Sequence, residues 1–192
     1  MKFYLIALAT TFLVTTAVHA QDINIGVKGG LNVYNINNDN NSEYDSKLGF
    51  HLGLIGHIHL TRQFAVQPEL VYSVQGAKYT NGGIKSKLNL GYVNIPVLLQ
   101  YMFDNGFRLQ AGPQVGFMLN AKTEIGDVKT DVKDNFKTVD FGLGFGMGYV
   151  TTSGFGIDAR YNFGLSNINE NDAVKSINRG FQAGLFYLLK HK

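Results

Sequence analysis

Apolar and polar side chains alternate along most of this chain with the two-residue period of a β-strand that has one apolar and one polar face. After residue 20 no stretch has sustained helical periodicity. Eight segments show the alternation and are predicted to be strands: 22–34, 47–60, 64–77, 87–103, 107–121, 137–151, 155–165 and 178–189. The sequence therefore predicts an all-β fold.

The connections between these segments alternate between long and short. Three are tight turns, at 61–63, 104–106 and 152–154. Four are longer and polar, at 35–46, 78–86, 122–136 and 166–177. Eight antiparallel strands in up-and-down order place all short turns at one end and all long connections at the other. We expect an eight-stranded up-and-down barrel, which leaves no strand edge unpaired.

The two faces of the predicted strands differ in chemistry. In the seventh segment Phe155, Ile157 and Phe163 share one face, whereas Asp158 and Arg160 share the other. An eight-stranded barrel has an interior just wide enough for side chains, and glycines on the polar face leave room for long polar partners. We therefore expect the polar face to fill the barrel and the apolar face to point outward, toward lipid. A soluble barrel with an apolar interior is the alternative.

Aromatic residues of the outward face cluster at two heights. Beside the short turns and the C-terminus lie Phe64, Tyr101, Phe103, Phe107, Tyr149, Phe155 and Tyr187. Beside the long connections lie Phe50, Tyr72, Phe117, Phe141, Phe163 and Phe181. Outer-membrane barrels have two such girdles, with short turns in the periplasm and long loops outside. The first set is predicted to be the periplasmic girdle and the second the outer girdle.

The first 20 residues are typical of an export signal. Lys2 supplies the positive charge, an apolar run covers 3–18, and Val18 and Ala20 are small residues where signal peptidase cleaves. Cleavage after Ala20 would leave 21–192 as an outer-membrane barrel domain. A membrane anchor is the alternative, but the run is short for a spanning helix and no charged stop-transfer cluster follows it.

The last predicted strand contains a second export-related pattern. Gln182, Gly184, Tyr187 and Leu189 fit polar-x-Gly-x-x-aromatic-x-hydrophobic, which looks like the insertion signal that the barrel-assembly machinery reads. The basic residues at 190–192 depart from that pattern, because many such proteins stop at the final apolar residue.

Six charged residues fall on the inward face, three of each sign: Lys28, Glu69, Arg108, Asp140, Asp158 and Arg160. A charge in a narrow lumen must be paired, so these residues predict an internal salt-bridge network that plugs the barrel. A gated ion path through the same residues is the alternative.

Other chemistry is weakly indicated. Three histidines share the inward face of the second segment, namely His51, His57 and His59. His57 and His59 could hold a metal with an adjacent carboxylate, but no third ligand can be placed, so polar packing is preferred and no metal or cofactor is predicted. No catalytic triad is imposed by the spacing of Ser42, Glu43, Ser46 and His51, so no enzyme activity is expected. The formal charge of +3 is too weak and scattered for nucleic-acid binding.

Three prolines fit poorly into regular strands. Pro68, Pro96 and Pro113 fall inside the third, fourth and fifth segments, where each removes a donor from the hydrogen-bond ladder. A bulge or a water on the lumen side is expected there.

An ordered series of motifs resembles the PorT-like family of outer-membrane β-barrels, also described as porin-family or OmpX-like. The motifs are VKGGLN at 27–32, QPELVYSVQG at 67–76, YVNIPVLLQY at 92–101, AGPQVG at 111–116, DFGLGFG at 140–146 and RYNFGLSNI at 160–168. The resemblance implies the fold and says little about activity. PorT is linked to protein secretion, but it looks longer than this chain, and its role is not carried over.

These observations predict a monomeric integral outer-membrane barrel with a filled lumen and a structural or surface-interaction role, without catalysis. Its expected partners are outer-membrane lipid, the assembly machinery during insertion, and an unknown extracellular ligand at the long loops. A narrow channel or an accessory barrel of a secretion system is one alternative. A soluble exported ligand-binding barrel is the other.

Overall fold

The structure, a computed structural model, describes residues 23–38, 44–81 and 83–189. Its strands are β1 (Ile23–Asn38), β2 (Tyr44–His59), β3 (Phe64–Asn81), β4 (Ile84–Met102), β5 (Phe107–Ile125), β6 (Val128–Asp131), β7 (Val139–Val150), β8 (Phe155–Gly164) and β9 (Ser176–Leu188). A 3₁₀ turn at Lys133–Asn135 follows β6. Within these ranges no helix is long and apolar enough to cross a membrane. The predicted signal peptide lies outside the described residues.

Eight of the strands close into an antiparallel ring, in the order β1-β2-β3-β4-β5-β7-β8-β9. The ring closes because β9 pairs with β1, from Gly26 opposite Leu188 to Asn38 opposite Ser176. The short strand β6 lies outside the ring and pairs with the far end of β5. The predicted eight-stranded up-and-down barrel is confirmed. We call the end with the long connections the outer end and the opposite one the periplasmic end.

The apolar face of the barrel points outward. Phe141 and Phe145 are each 53% exposed, whereas Arg108 is 2% and Arg160 is 1% exposed. A water-soluble barrel would bury the phenylalanines and solvate the arginines. The predicted orientation is confirmed.

Several strands run further toward the outer end than the alternation predicted. Pairing between β3 and β4 continues to Asn81 opposite Ile84, and β5 continues to Ile125. The predicted loops 78–86 and 122–136 are therefore wrong in large part, because they contain a β-hairpin and β6 with its 3₁₀ turn. The loop predicted at 35–46 is also too long, since β1 ends at Asn38 and β2 begins at Tyr44.

The polarity of the strands inverts in this outer extension, which comprises 36–38, 44–46, 77–81, 84–90 and 121–131. Here Ala77 and Leu88 are buried on the inward face, whereas Lys78 and Lys87 are exposed on the outward face. The extension thus has the apolar interior of a water-soluble sheet, and the lipid-embedded part below it has the opposite arrangement. Because the alternation reverses at this level, the sequence predicted the ends of the strands there, although the strands continue and only the environment of their outward face changes.

Among the described strands, register shifts occur at two places, and neither is at a proline. One lies between Ser46 and His51 of β2, and the other lies at Gly91 and Tyr92 of β4. Around Pro68 the register of β3 against β4 is unchanged: Pro68 lies opposite Val97, and Val71 lies opposite Asn94. The strands keep their register past all three prolines, so the predicted bulge is wrong, and the alternative of a water on the lumen side stays a prediction. Both shifts instead lie near the level at which polarity inverts.

The predicted tight turns at the periplasmic end are confirmed. Gly106 and Gly154 have φ values of 89° and 86°, a conformation that glycine adopts without the steric cost of a Cβ. A Cβ on Gly106 would also overlap the carbonyl oxygen of Val150.

A charge on the lipid-facing surface should destabilise the barrel in proportion to its depth. Phe145 lies midway along β7 between Phe141 and Tyr149, so Phe145→Arg should lower the free energy of unfolding by about 2–4 kcal/mol. The matched change Val128→Arg, on exposed β6, should cost about 0–1 kcal/mol. Urea titration in lipid vesicles measures both, and equal costs would contradict the lipid-facing orientation.

Candidate functional site

Four charged side chains meet in the centre of the lumen. Arg160 of β8 reaches across to Glu69 of β3 with two hydrogen bonds, Nη2 to Oε1 at 2.7 Å and Nη1 to Oε2 at 3.0 Å. Lys28 of β1 lies 2.8 Å from the Asp158 carboxylate and 3.4 Å from that of Glu69. Two cations and two anions therefore balance, and we call these four residues the central ion cluster.

A chain of glutamines extends the cluster toward the periplasmic end. Gln67 donates to Glu69 at 2.7 Å, and Gln100 donates to both Gln67 and Gln110, at 3.0 Å and 2.9 Å. Arg108 donates to the side-chain oxygen of Gln100 at 3.3 Å. The amides thus link the neighbouring strands β3, β4 and β5 along one side of the lumen.

Two of the six predicted lumen charges lie apart from the cluster. Arg108 contacts the glutamine chain, and its guanidinium lies 5.4 Å from the ring centroid of Phe186. Asp140 accepts a hydrogen bond from the Ser166 hydroxyl at 2.6 Å, near the outer end. The structure therefore brings together Lys28, Glu69, Asp158 and Arg160 and separates the other two.

The histidines and the serine considered for catalysis do not form a site. His51 is buried, with Nδ1 2.7 Å from Oδ1 of Asn32, whereas Ser46 is exposed. The rings of His57 and His59 meet edge to face, with centroids 4.6 Å apart. Among the described residues no group of three or more His, Cys, Asp or Glu could hold a metal ion. Ser42 and Glu43 lie outside the described residues.

Apolar layers lie above and below the polar centre, and the sequence analysis missed both. The outer apolar layer consists of Ile36, Ala77, Leu88, Leu90, Tyr92, Met118, Ala121 and Ile168. The periplasmic apolar layer consists of Ile55, Val150, Phe186 and Leu188. The signal for the outer layer was present: Leu88, Leu90 and Tyr92 alternate on the parity that also carries Asn94 and Gln100.

Aromatic rings fill the space above two inward-facing glycines. A Cβ on Gly180 would overlap the ring of Tyr34, and a Cβ on Gly156 would overlap the ring of Phe186. Polar partners use the same device, because the Cδ of Arg160 would lie 3.2 Å from a Cβ on Gly144. Glycine thus makes room in the lumen for aromatic as well as polar side chains.

The predicted girdle residues lie on the outward surface at both ends. At the periplasmic end four rings form a continuous row, with centroids 5.3 Å apart for Phe64 and Tyr101, 4.9 Å for Tyr101 and Phe103, and 5.6 Å for Phe103 and Phe107. At the outer end the rings of Phe50 and Tyr72 lie 6.2 Å apart.

In β9 the residues of the predicted insertion signal split between the faces. Gln182 is buried in the lumen, whereas Tyr187 is exposed on the outward face, and Leu189 just beyond the strand is also exposed.

A closed ring of eight strands with lipid-facing side chains outside and a packed polar interior defines an outer-membrane β-barrel protein. Residues 19–170 match the family described as "Outer membrane protein beta-barrel domain", and the chain belongs to this family. It is accordingly a protein of the outer membrane. No curated protein sequence matches the chain.

Solved outer-membrane barrels share the fold at low sequence identity. Neisserial surface protein A (NspA) is 12% identical with a TM-score of 0.59, over 88% of this chain and 99% of NspA. Ail, the attachment invasion locus protein of Yersinia pestis, is 16% identical with a TM-score of 0.50, over 85% of this chain and 98% of Ail. At such identities the likeness extends to the fold alone.

The buried Arg160–Glu69 pair should show strong energetic coupling. Arg160→Met or Glu69→Leu alone leaves a buried charge with fewer partners and should destabilise the barrel by about 3–5 kcal/mol, whereas the double variant should cost far less than the sum. Urea titration of all four proteins in vesicles gives the coupling.

The exposed Arg62–Asp104 pair is the matched control for that cycle. Its side chains are 84% and 74% exposed, so Asp104→Asn should cost about 0–1 kcal/mol. Additive effects at Arg160 and Glu69 would show that the two side chains do not stabilise each other.

Proposed function

We propose that the protein is a plugged outer-membrane barrel with a structural or surface-interaction role and no catalytic activity. The observation that carries this proposal is the stacking of three filled layers in the lumen. The central ion cluster lies between the outer apolar layer and the periplasmic apolar layer, and both contain residues that are fully or nearly fully buried. A solute would have to cross two apolar layers and break a network of paired charges.

The outer end is the part of the molecule through which such a barrel would act. It carries the long connections and the outer extension, whose water-facing surface includes Lys78, Lys85 and Lys87. Connections held on a rigid scaffold are where binding residues are commonly found. We infer that the protein is exported by cleavage after Ala20, inserted by the barrel-assembly machinery, and present as a monomer in outer-membrane lipid.

A narrow channel or a secretion accessory is the second candidate. The polar residues of the central ion cluster and the glutamine chain favour it, because they offer a polar path through the middle of the lumen. The apolar layers at both ends of that path count against it. The soluble ligand-binding barrel considered from the sequence loses its support, since the apolar face points outward.

Conductance in planar bilayers separates a plug from a channel. The wild-type protein should give no steady conductance, and Glu69→Ala with Arg160→Ala should also give none, because the two apolar layers remain. A stable unitary conductance of the wild type would contradict the plugged lumen and favour the channel.

Epitope tags test which end faces the outside. A tag between Gly126 and Asp127, in the turn that joins β5 to β6, should bind antibody on intact cells. A tag between Asp104 and Asn105, in the opposite turn, should be labelled only after permeabilisation. The reverse pattern would contradict surface display of the long connections.

A further inference from the structure

A cavity of about 650 Å³ opens at the outer end, above the outer apolar layer. Its floor comes from the inward faces of neighbouring strands, with Tyr44 on β2, Tyr79 on β3, Leu88 on β4 and Thr123 on β5. Tyr44 and Tyr79 are directly opposite each other in the ladder, and their ring centroids lie 5.7 Å apart. The volume falls within the range of small-molecule sites.

The walls of this cavity are two connections that are hydrogen bonded to each other. The amide of Glu170 donates to the carbonyl of Asn135 at 3.0 Å, and the amide of Lys137 donates to the carbonyl of Ile168 at 2.9 Å. The walls are the connection at 132–136, after β6, and the connection at 169–174, before β9. The first of them is fixed to the barrel, because the amide of Val132 donates to the carbonyl of Ala121 at 2.9 Å. The cavity is therefore preformed, which reduces the entropic cost of binding.

The lining of the cavity combines aromatic rings with negative charge. Tyr44, Tyr79 and Phe136 supply the rings, and Asp134 and Glu170 supply two carboxylates. Over the ranges that the structure describes, the cavity has no Lys, Arg or His in its lining, and neither carboxylate forms a salt bridge. Aromatic faces and carboxylates both attract cations, and here both carboxylates are exposed to water.

Apolar side chains complete the lining and define the rest of the ligand. Leu88, Val132 and Val174 offer hydrocarbon surface beside the rings. A bare metal ion would make no use of this hydrocarbon surface, and an anion would be repelled by both carboxylates. The surface therefore fits a molecule with an ammonium group and an apolar body.

We propose that this cavity binds an amphipathic organic cation, an ammonium group carried on an aromatic or branched apolar body. The ammonium lies against the tyrosine rings and between Asp134 and Glu170, and the apolar body packs on Leu88 and Val174. The proposal deepens the surface-interaction role and rests on it for access from outside the cell. Binding by the purified protein does not depend on that access.

The test uses the full folded chain in a nonionic maltoside detergent, because phosphocholine lipids carry the same ammonium group. Phenyltrimethylammonium is the cationic probe and benzoate is the anionic one. The amide NMR signals of Asn135, Asn169 and Glu170 should shift saturably with the cation and not with benzoate at equal concentration. Equal or larger shifts with benzoate would overturn the proposal.

Matched variants locate the binding. Asp134→Asn with Glu170→Gln should weaken binding of phenyltrimethylammonium by about five- to tenfold, since two solvent-exposed ion contacts are lost. Asp104→Asn with Asp127→Asn removes the same charge from residues that do not line the cavity and should leave binding unchanged.

Equal binding of phenyltrimethylammonium by the two double variants would contradict the proposed cation site. Loss of binding together with correct surface labelling of the tag at Gly126 would refute the ligand and leave the surface role standing. Binding together with reversed labelling would refute the surface role and leave the cation site standing.

Discussion

The hydrogen-bonding need of the backbone is the constraint on which the rest of this structure depends. Inside a bilayer no water can satisfy a free N–H or C=O group, so a sheet must close completely. The pairing of β9 with β1 provides that closure. Once eight strands form the ring, its circumference leaves a lumen that side chains can fill, and the apolar face is left for lipid. The filled interior and the exposed Phe141 and Phe145 are consequences of the same closure.

A filled lumen sets its own electrostatic requirement, because each charge must be satisfied within it. Arg160 and Lys28 together face Glu69 and Asp158, so the four charges sum to zero and hold three strands across the lumen. Removing such ions from water is costly, and their mutual attraction does no more than offset that cost. The cluster connects β8 to β1 and β3 across the lumen, so only one arrangement of these strands pairs all four charges.

The sequence predicted the ring, its orientation and four members of the central ion cluster. Each of these depends on the alternation of apolar and polar side chains, which in the lipid-embedded part assigns every residue to the outward or the inward face. It did not predict the outer extension, because the alternation there reverses: Leu88 points inward and Lys87 outward, as in a water-soluble sheet. Hydropathy alone does not say whether such a reversal ends a strand or marks a change of solvent. The separation of Arg108 and Asp140 could not be predicted either, since parity fixes a face and not a partner. The cavity walls depend on contacts between connections far apart in the chain.

The stacking of layers in the lumen also decides where a ligand can act. Leu88 belongs both to the outer apolar layer and to the floor of the cavity, and Leu90 and Tyr92 lie below it on the same strand. A molecule that enters the cavity therefore meets a packed apolar layer. Because the floor rests on a lumen that is already full, the cavity cannot collapse inward when it is empty. In the role that we propose, the packing that blocks the lumen also keeps a binding surface open at its mouth, which is why we assign recognition and not transport to the outer end.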